Sequence, residues 1–195
     1  MGIEHERIHL ETSSLLIRQL PIDQVTQLPF WDICREAGEP PANQLLNVPG
    51  GAVTLGKAKD HPLYGWDNEY GLHTAEVSGF KAARYLTSNR EFLAFIQTGG
   101  YHEKQWWSEE GWNWRGFKQA EHPLFLIKCD NGWKLRTMAS EIEMPWNWPV
   151  EVNCLEAKAF CNWKSAGSGA PIRLPDEDEW HRLRDICDIP DQPYW

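Results

Sequence analysis

The sequence lacks any run of eighteen apolar residues, which is about the shortest stretch that spans a membrane as a helix. Its first residues also lack the basic and then apolar regions of a secretory signal peptide. We therefore predict a cytoplasmic protein with no membrane partner.

Clusters of basic residues are missing as well. The 195 residues include 28 Asp and Glu against 19 Lys and Arg, which gives a net charge of -9, and no Lys/Arg run interrupts the acidic surplus. Because nucleic acids are bound by basic patches, the composition predicts no nucleic-acid partner. P-loop, G-x-G-x-x-G and G-x-S-x-G motifs are absent too, so nucleotide and serine-hydrolase chemistries have no support.

The cysteines lack the spacing of a disulfide framework or a metal-binding motif. The five residues are odd in number, widely separated and never form a C-x-x-C pair, which argues against a disulfide framework or a zinc knuckle. We expect reduced and mostly buried thiols. The residues are Cys34, Cys129, Cys154, Cys161 and Cys187.

Tryptophan is abundant, with twelve residues in a chain that is 42% hydrophobic. Such a load favours either a loop-rich fold with aromatic anchors or an aromatic-walled pocket. Seven tryptophans fall within residues 101–148, where we predict a long aromatic loop with one strand at 124–127.

Helix and strand signals elsewhere are short and mixed, which predicts an α+β protein with much irregular chain. Apolar residues recur at helical spacing from Ile3 to about Leu20, and Pro21 ends the pattern. Ser88 and Asn153 each precede a Glu by three residues, as in a capping box, and acidic residues start a further helix at 176–187. We predict strands at 52–56, 73–80 and 171–175, and one short helix within residues 21–46.

The segment His5-Glu6-Arg7-Ile8-His9 places two imidazoles one helical turn apart, where both can reach one metal ion. The alternative is a pair of partly exposed histidines with no ligand. The segment also matches H-E-x-x-H, the zinc-peptidase motif, although Arg7 puts a charge where that motif is normally buried.

Two further groups of residues have competing interpretations. Asp67-Asn68-Glu69 predicts either calcium ligands or a turn ordered by its own side chains, and the turn is favoured. The tryptophans of the predicted aromatic loop could wall a ligand site, which would make the protein a non-enzymatic binding module.

From residue 47 onward, the succession VPGGAVTLG, DNEYGLHTAEVSGF, SNREFLAFIQTGGY, PVEVNCLEAKAFCNW and IRLPDEDEW resembles the formylglycine-generating, sulfatase-modifying factor domains. The resemblance implies a C-type-lectin-like α+β fold over residues 47–195. Formylglycine generation is not expected, because that activity uses a cysteine pair nearer the C-terminus than this sequence extends.

The helix with GIEHERIHLETS, followed by YGWDNEYG and the tryptophan-rich region, is similar to the sulfoxide synthases of thiohistidine biosynthesis, in particular those of the ovothiol pathway, which form 5-histidylcysteine sulfoxide. The resemblance implies iron(II) as cofactor, with His5 and His9 as two ligands and a third histidine upstream. It implies cysteine, histidine and dioxygen as substrates. We accordingly expect a fragment: 1–21, the last helix of a DinB-like domain; 22–46, a linker; 47–195, the sulfatase-modifying factor domain, truncated.

Overall fold

A computed structural model describes residues 2–187, which fall into two compact units. Of the described residues, unit 1 comprises 2–41 and 86–172, and unit 2 comprises 42–85 and 173–187. Within the described range, α-helices combine with short antiparallel strands, which confirms the mixed α+β class. None of these helices is long and apolar enough to cross a membrane. Residues 188–195 of the predicted 47–195 domain lie outside the described residues.

The first helix of unit 1, α1 (Gly2–Arg18), confirms the helix predicted before Pro21. No residue of α1 is buried, and Ile3 and Leu10 are 74% and 73% exposed. The predicted linker then contains one short 3₁₀ helix at Ile22–Gln24.

Two helices of unit 1 begin at the predicted capping boxes. They are α2 (Asn89–Gln97) and α4 (Cys154–Ser168), capped by Ser88 and Asn153. Each cap satisfies a backbone N–H that the first helical turn leaves without a partner. The two helices pack against an aromatic core of buried residues: Phe92, Phe95, Tyr101, Trp107, Ala159 and Phe160.

The prediction of a long aromatic loop over residues 101–148 is wrong. This segment contains α3 (Glu109–Lys118) and a three-stranded sheet of β5 (Leu126–Cys129), β6 (Gly132–Arg136) and β7 (Glu141–Glu143). Only β5 overlaps the strand that was predicted there.

Helix α3 escaped prediction because its bulky residues do not follow one helical stripe. Trp112 and Trp114 are two positions apart, so they point to different sides of the helix. Its start is nevertheless marked by Ser108, whose hydroxyl accepts a hydrogen bond from the Gly111 N–H at 3.1 Å.

Unit 2 contains two antiparallel strand pairs and one helix. Strands β1 (Leu45–Val48) and β4 (Phe80–Ala83) pair, as do β2 (Gly51–Lys57) and β3 (Gly71–Val77). The strand predicted at 52–56 is thus confirmed, whereas the one predicted at 73–80 is divided between β3 and β4. Helix α5 (Glu177–Ile186) confirms the acidic helix start, and the core consists of Val53, Leu55 and Val77.

The strand predicted at 171–175 does not form. The N–H of Ile172 donates to Ser165 Oγ at 2.7 Å, and the Ser165 hydroxyl donates to the Ile172 carbonyl at 3.0 Å. One side chain on α4 therefore takes the place of a strand partner.

The expectation of mostly buried cysteines is also wrong. Cys34, Cys154 and Cys187 are exposed, whereas Cys161 is buried and all five are free thiols. Cys154 begins α4 and Cys187 caps the end of α5, and the ends of these helices are exposed.

Candidate metal centre

The strongest candidate site lies on α1. His5 and His9 are one turn apart, with their Nε2 atoms 2.8 Å apart and their rings edge-on at 4.5 Å between centroids. Both residues are exposed. In this structure the two nitrogens share a hydrogen bond, and the same spacing along the helix lets both reach one metal ion.

Helix α1 also carries five exposed apolar residues. At 100° per residue, Leu16 continues the His5–His9 stripe, Ile8 and Leu15 lie about 80–100° from it on one side, and Ile3 and Leu10 lie about 120–140° from it on the other. Their exposed fractions range from 46% to 74%.

The two histidines are of a ligand type that suits iron, but they are fewer than the three protein ligands of a typical metal site. Imidazole nitrogen suits iron as well as zinc and copper, so the two histidines are appropriate ligands. Among residues 2–187, no group of three or more His, Cys, Asp or Glu side chains could hold a metal ion. The same two nitrogens would also serve zinc in an H-E-x-x-H site, so the pair alone does not distinguish iron from zinc.

The aromatic residues of unit 1 serve two purposes. Trp107 is a core anchor that is 7% exposed, donates from Nε1 to the Gly100 carbonyl at 2.8 Å and stacks on Trp114. Trp106 and Trp163 instead line an open groove of about 500 Å³. The groove is lined further by Glu91, Ala94, Phe160, Lys164, Ala166, Gly167 and Ser168.

Tyr101 and Glu156 form a buried polar pair that no sequence pattern indicated. The Tyr101 hydroxyl donates to the Glu156 carboxylate at 2.5 Å, and the two side chains come from positions 55 residues apart. Burial raises the pKa of the Glu156 carboxyl, an effect that the Tyr101 hydrogen bond partly offsets, and burial also raises the pKa of Tyr101. Its capping-box spacing marked Glu156 as a helix start, and no local signal connects it to Tyr101.

The favoured interpretation of Asp67-Asn68-Glu69 as a turn is confirmed. These residues form a 3₁₀ helix, and the Glu69 carboxylate accepts a hydrogen bond from the Trp66 N–H at 2.5 Å.

Residues 32–182 match the sulfatase-modifying factor enzyme 1-like domain family, which covers most of both units. The chain belongs to this family. The match begins within the segment predicted as a linker and ends inside α5, and α1 with its histidine pair precedes it.

Comparison with characterised relatives agrees with this assignment. The chain is 34% identical over 185 residues to hercynine oxygenase from Mycolicibacterium smegmatis, a match covering 92% of this chain and 40% of the relative. It is 30% identical to formylglycine-generating enzyme from Thermomonospora curvata, over 77% of this chain and 51% of the enzyme. Ergothioneine biosynthesis protein 1 from Neurospora crassa is 32% identical over 49% of this chain and 12% of its own length. The chain thus spans less than two thirds of these relatives.

Proposed function

We propose that these residues belong to an iron(II)- and oxygen-dependent sulfoxide synthase that joins cysteine sulfur to the imidazole ring of histidine, as in ovothiol biosynthesis. The observation that carries the proposal is the 2.8 Å approach of the His5 and His9 Nε2 atoms on a helix that precedes a sulfatase-modifying factor domain. The 34% identity to a hercynine oxygenase, which extends across 92% of the chain, supports it.

In the proposed site, His5 and His9 hold iron(II) through Nε2, and a third histidine comes from outside residues 2–187. The metal, when bound, supplies a centre at which thiolate and dioxygen meet. The overall reaction consumes one thiol, one imidazole C–H and one dioxygen molecule. One oxygen atom ends on sulfur, and the other leaves as water with the thiol and ring hydrogens.

The exposed apolar residues of α1 support a further helical element packed against it. Leaving Ile3, Leu10 and Leu16 in water is unfavourable, and a second helix would cover them. We therefore propose residues 1–21 as the last helix of a DinB-like domain, 22–46 as a linker and 47–195 as part of the second domain.

The test is product formation by the full-length protein loaded with iron(II) and supplied with cysteine, histidine and oxygen. We expect mass spectrometry to detect 5-histidylcysteine sulfoxide, with loss of product in His5→Ala and retention in His102→Ala, an exposed histidine outside α1. Absence of any coupled product from the unmodified protein would reject the proposal.

A second candidate function is a non-enzymatic binding module, which the groove beside Trp106 and Trp163 favours. Its aromatic walls would stack against a small ligand. The test is tryptophan fluorescence during titration with sugars and with amino-acid thiols, using Trp163→Phe as control. Fluorescence that no ligand changes would end this candidate.

A further inference from the structure

The C-terminal end of α1 is held to the rest of unit 1 by two arginines that bond to each other's backbone. Arg18 donates from Nε to the Arg136 carbonyl at 2.5 Å, while Arg136 donates from Nε to the Arg18 carbonyl at 3.2 Å. Arg136 also donates from Nη2 to the Leu20 carbonyl at 3.1 Å. We call this arrangement the Arg18–Arg136 clasp.

Each arginine is fixed by further contacts in unit 1. Arg18, whose side chain is 12% exposed, lies over the Phe125 ring at 3.7 Å and donates from Nη1 to Glu151 at 2.7 Å. Arg136 is 6% exposed and ends β6, where its N–H donates to the Phe125 carbonyl at 2.9 Å. The clasp therefore joins the end of α1 to strand β6 and to the core residue Phe125.

The chemistry of the clasp suits a helix end. The last carbonyls of a helix have no partner within it, and they carry the negative end of its dipole. The Arg136 guanidinium supplies both donors and positive charge to them. Among contacts within residues 2–187, α1 buries no residue, so the clasp at this end relates its direction to the rest of unit 1.

Stability alone does not explain a buried arginine at position 136. Its Nη1 is buried without a hydrogen-bond partner in the described part of the chain, and such burial costs free energy. A methionine of similar length would fill the space without that cost. It would, however, supply no donor to α1.

We propose that Arg136, acting with Arg18, is a positioning residue that fixes the direction of α1 and hence the location of the His5–His9 pair. His9 lies roughly 14 Å and His5 about 20 Å along the helix from Arg18, so a small rotation at the clasp displaces them by several ångströms. The link to catalysis rests on the proposed function. The clasp itself is testable without metal or substrate.

The first test is limited trypsin digestion of the full chain. Trypsin binds an arginine side chain before it cleaves the bond that follows, and the clasp holds the Arg18 side chain away from the protease. Arg136→Met should therefore raise the cleavage rate after Arg18 by about tenfold or more. Cleavage after exposed Arg35 serves as the internal reference. Arg90→Met, which removes an ion pair to Glu39 elsewhere in unit 1, should leave cleavage after Arg18 unchanged.

The second test measures the direction of α1 by double electron–electron resonance between nitroxides at Glu11→Cys and Cys154, with the other accessible thiols at positions 34, 129 and 187 replaced by serine. We expect one narrow distance distribution, broadened by Arg136→Met and not by Arg90→Met, at unchanged melting temperature. Arg136→Lys, which keeps the charge and loses the planar donors, should be intermediate.

Unchanged cleavage after Arg18 together with an unchanged distance distribution in Arg136→Met would overturn the proposal. If that variant does not fold, Arg18→Met removes the other half of the clasp and should broaden the distribution in the same way. Neither measurement involves iron. Results that contradict the clasp proposal can therefore be distinguished from results that contradict the proposed sulfoxide synthase activity.

Discussion

The hydrogen bond from Tyr101 to Glu156 buries a carboxylate beside an aromatic core, and its charge has few other partners. Tyr101→Phe should therefore destabilise the fold by about 1–3 kcal/mol at pH 7. Urea unfolding followed by tryptophan fluorescence measures this loss.

The destabilisation caused by Tyr101→Phe should depend on pH in a defined direction. Because the pKa of Glu156 is raised in the folded protein, its contribution to stability is complete below its ordinary pKa of 4.5 and is lost as pH rises through the folded value. Tyr101→Phe should raise this pKa further, so its destabilisation should shrink on acidification. Glu156→Gln, which keeps an acceptor for the Tyr101 hydroxyl, should flatten the dependence. A Tyr101→Phe effect that is larger at pH 4 than at pH 7 would contradict this account.

Glu179 behaves in the opposite sense. The Arg173 guanidinium donates to both of its carboxylate oxygens, at 2.7 and 2.6 Å, and these hydrogen bonds lower the pKa of Glu179. Its contribution is complete above pH 4.5 and is lost as pH falls through the folded pKa. Glu179→Gln should thus destabilise the protein more at pH 7 than at pH 3. Exposed Glu177→Gln, in the same helical turn, is the control and should show a smaller effect at both pH values.

At the scale of single elements, the backbone is sterically constrained at Gly56, where β2 pairs with β3. Gly56 has φ of 88°, and a Cβ there would overlap the Gly71 carbonyl oxygen. Gly56→Ala should therefore cost more than about 2 kcal/mol in thermal or urea unfolding.

Gly167 is the matched control for that substitution. It lies inside α4 with open space around it, so Gly167→Ala should stabilise the protein by about 0.5–1 kcal/mol. Equal effects of the two substitutions would show that the backbone at Gly56 is not constrained.

Elements with local signals were predictable, and those that depend on distant partners were not. Helices α2, α4 and α5 carry caps within one turn of their starts, so their sequences specify them. Strands β6 and β7 are three to five residues long and are defined by pairing to each other and to β5. The strand expected at 171–175 failed because Ser165, on a neighbouring helix, satisfies Ile172.

The same distinction applies to the site. The i, i+4 spacing of His5 and His9 is enough to predict that their rings can meet, because helix geometry alone produces that contact. The Arg18–Arg136 clasp joins positions 118 residues apart, so neither residue could have been recognised before the fold was known.

At the scale of the whole molecule, a helix with two histidines precedes a sulfatase-modifying factor domain. The domain assignment follows from residues 32–182, whereas the proposed metal site depends on α1, which precedes the match. Removal of metal should therefore leave the secondary structure of the domain intact. Circular dichroism before and after chelation measures this, and a loss of helix and strand signal on chelation would contradict a metal site that lies outside the sulfatase-modifying factor domain.

The most direct measurement of the central claim is anaerobic titration of the full-length protein with iron(II). We predict one iron(II) per chain, with affinity lowered at least about 100-fold in His5→Ala and in His9→Ala and unchanged in His102→Ala. Equal affinity in all four proteins would show that His5 and His9 are not ligands and would contradict the account.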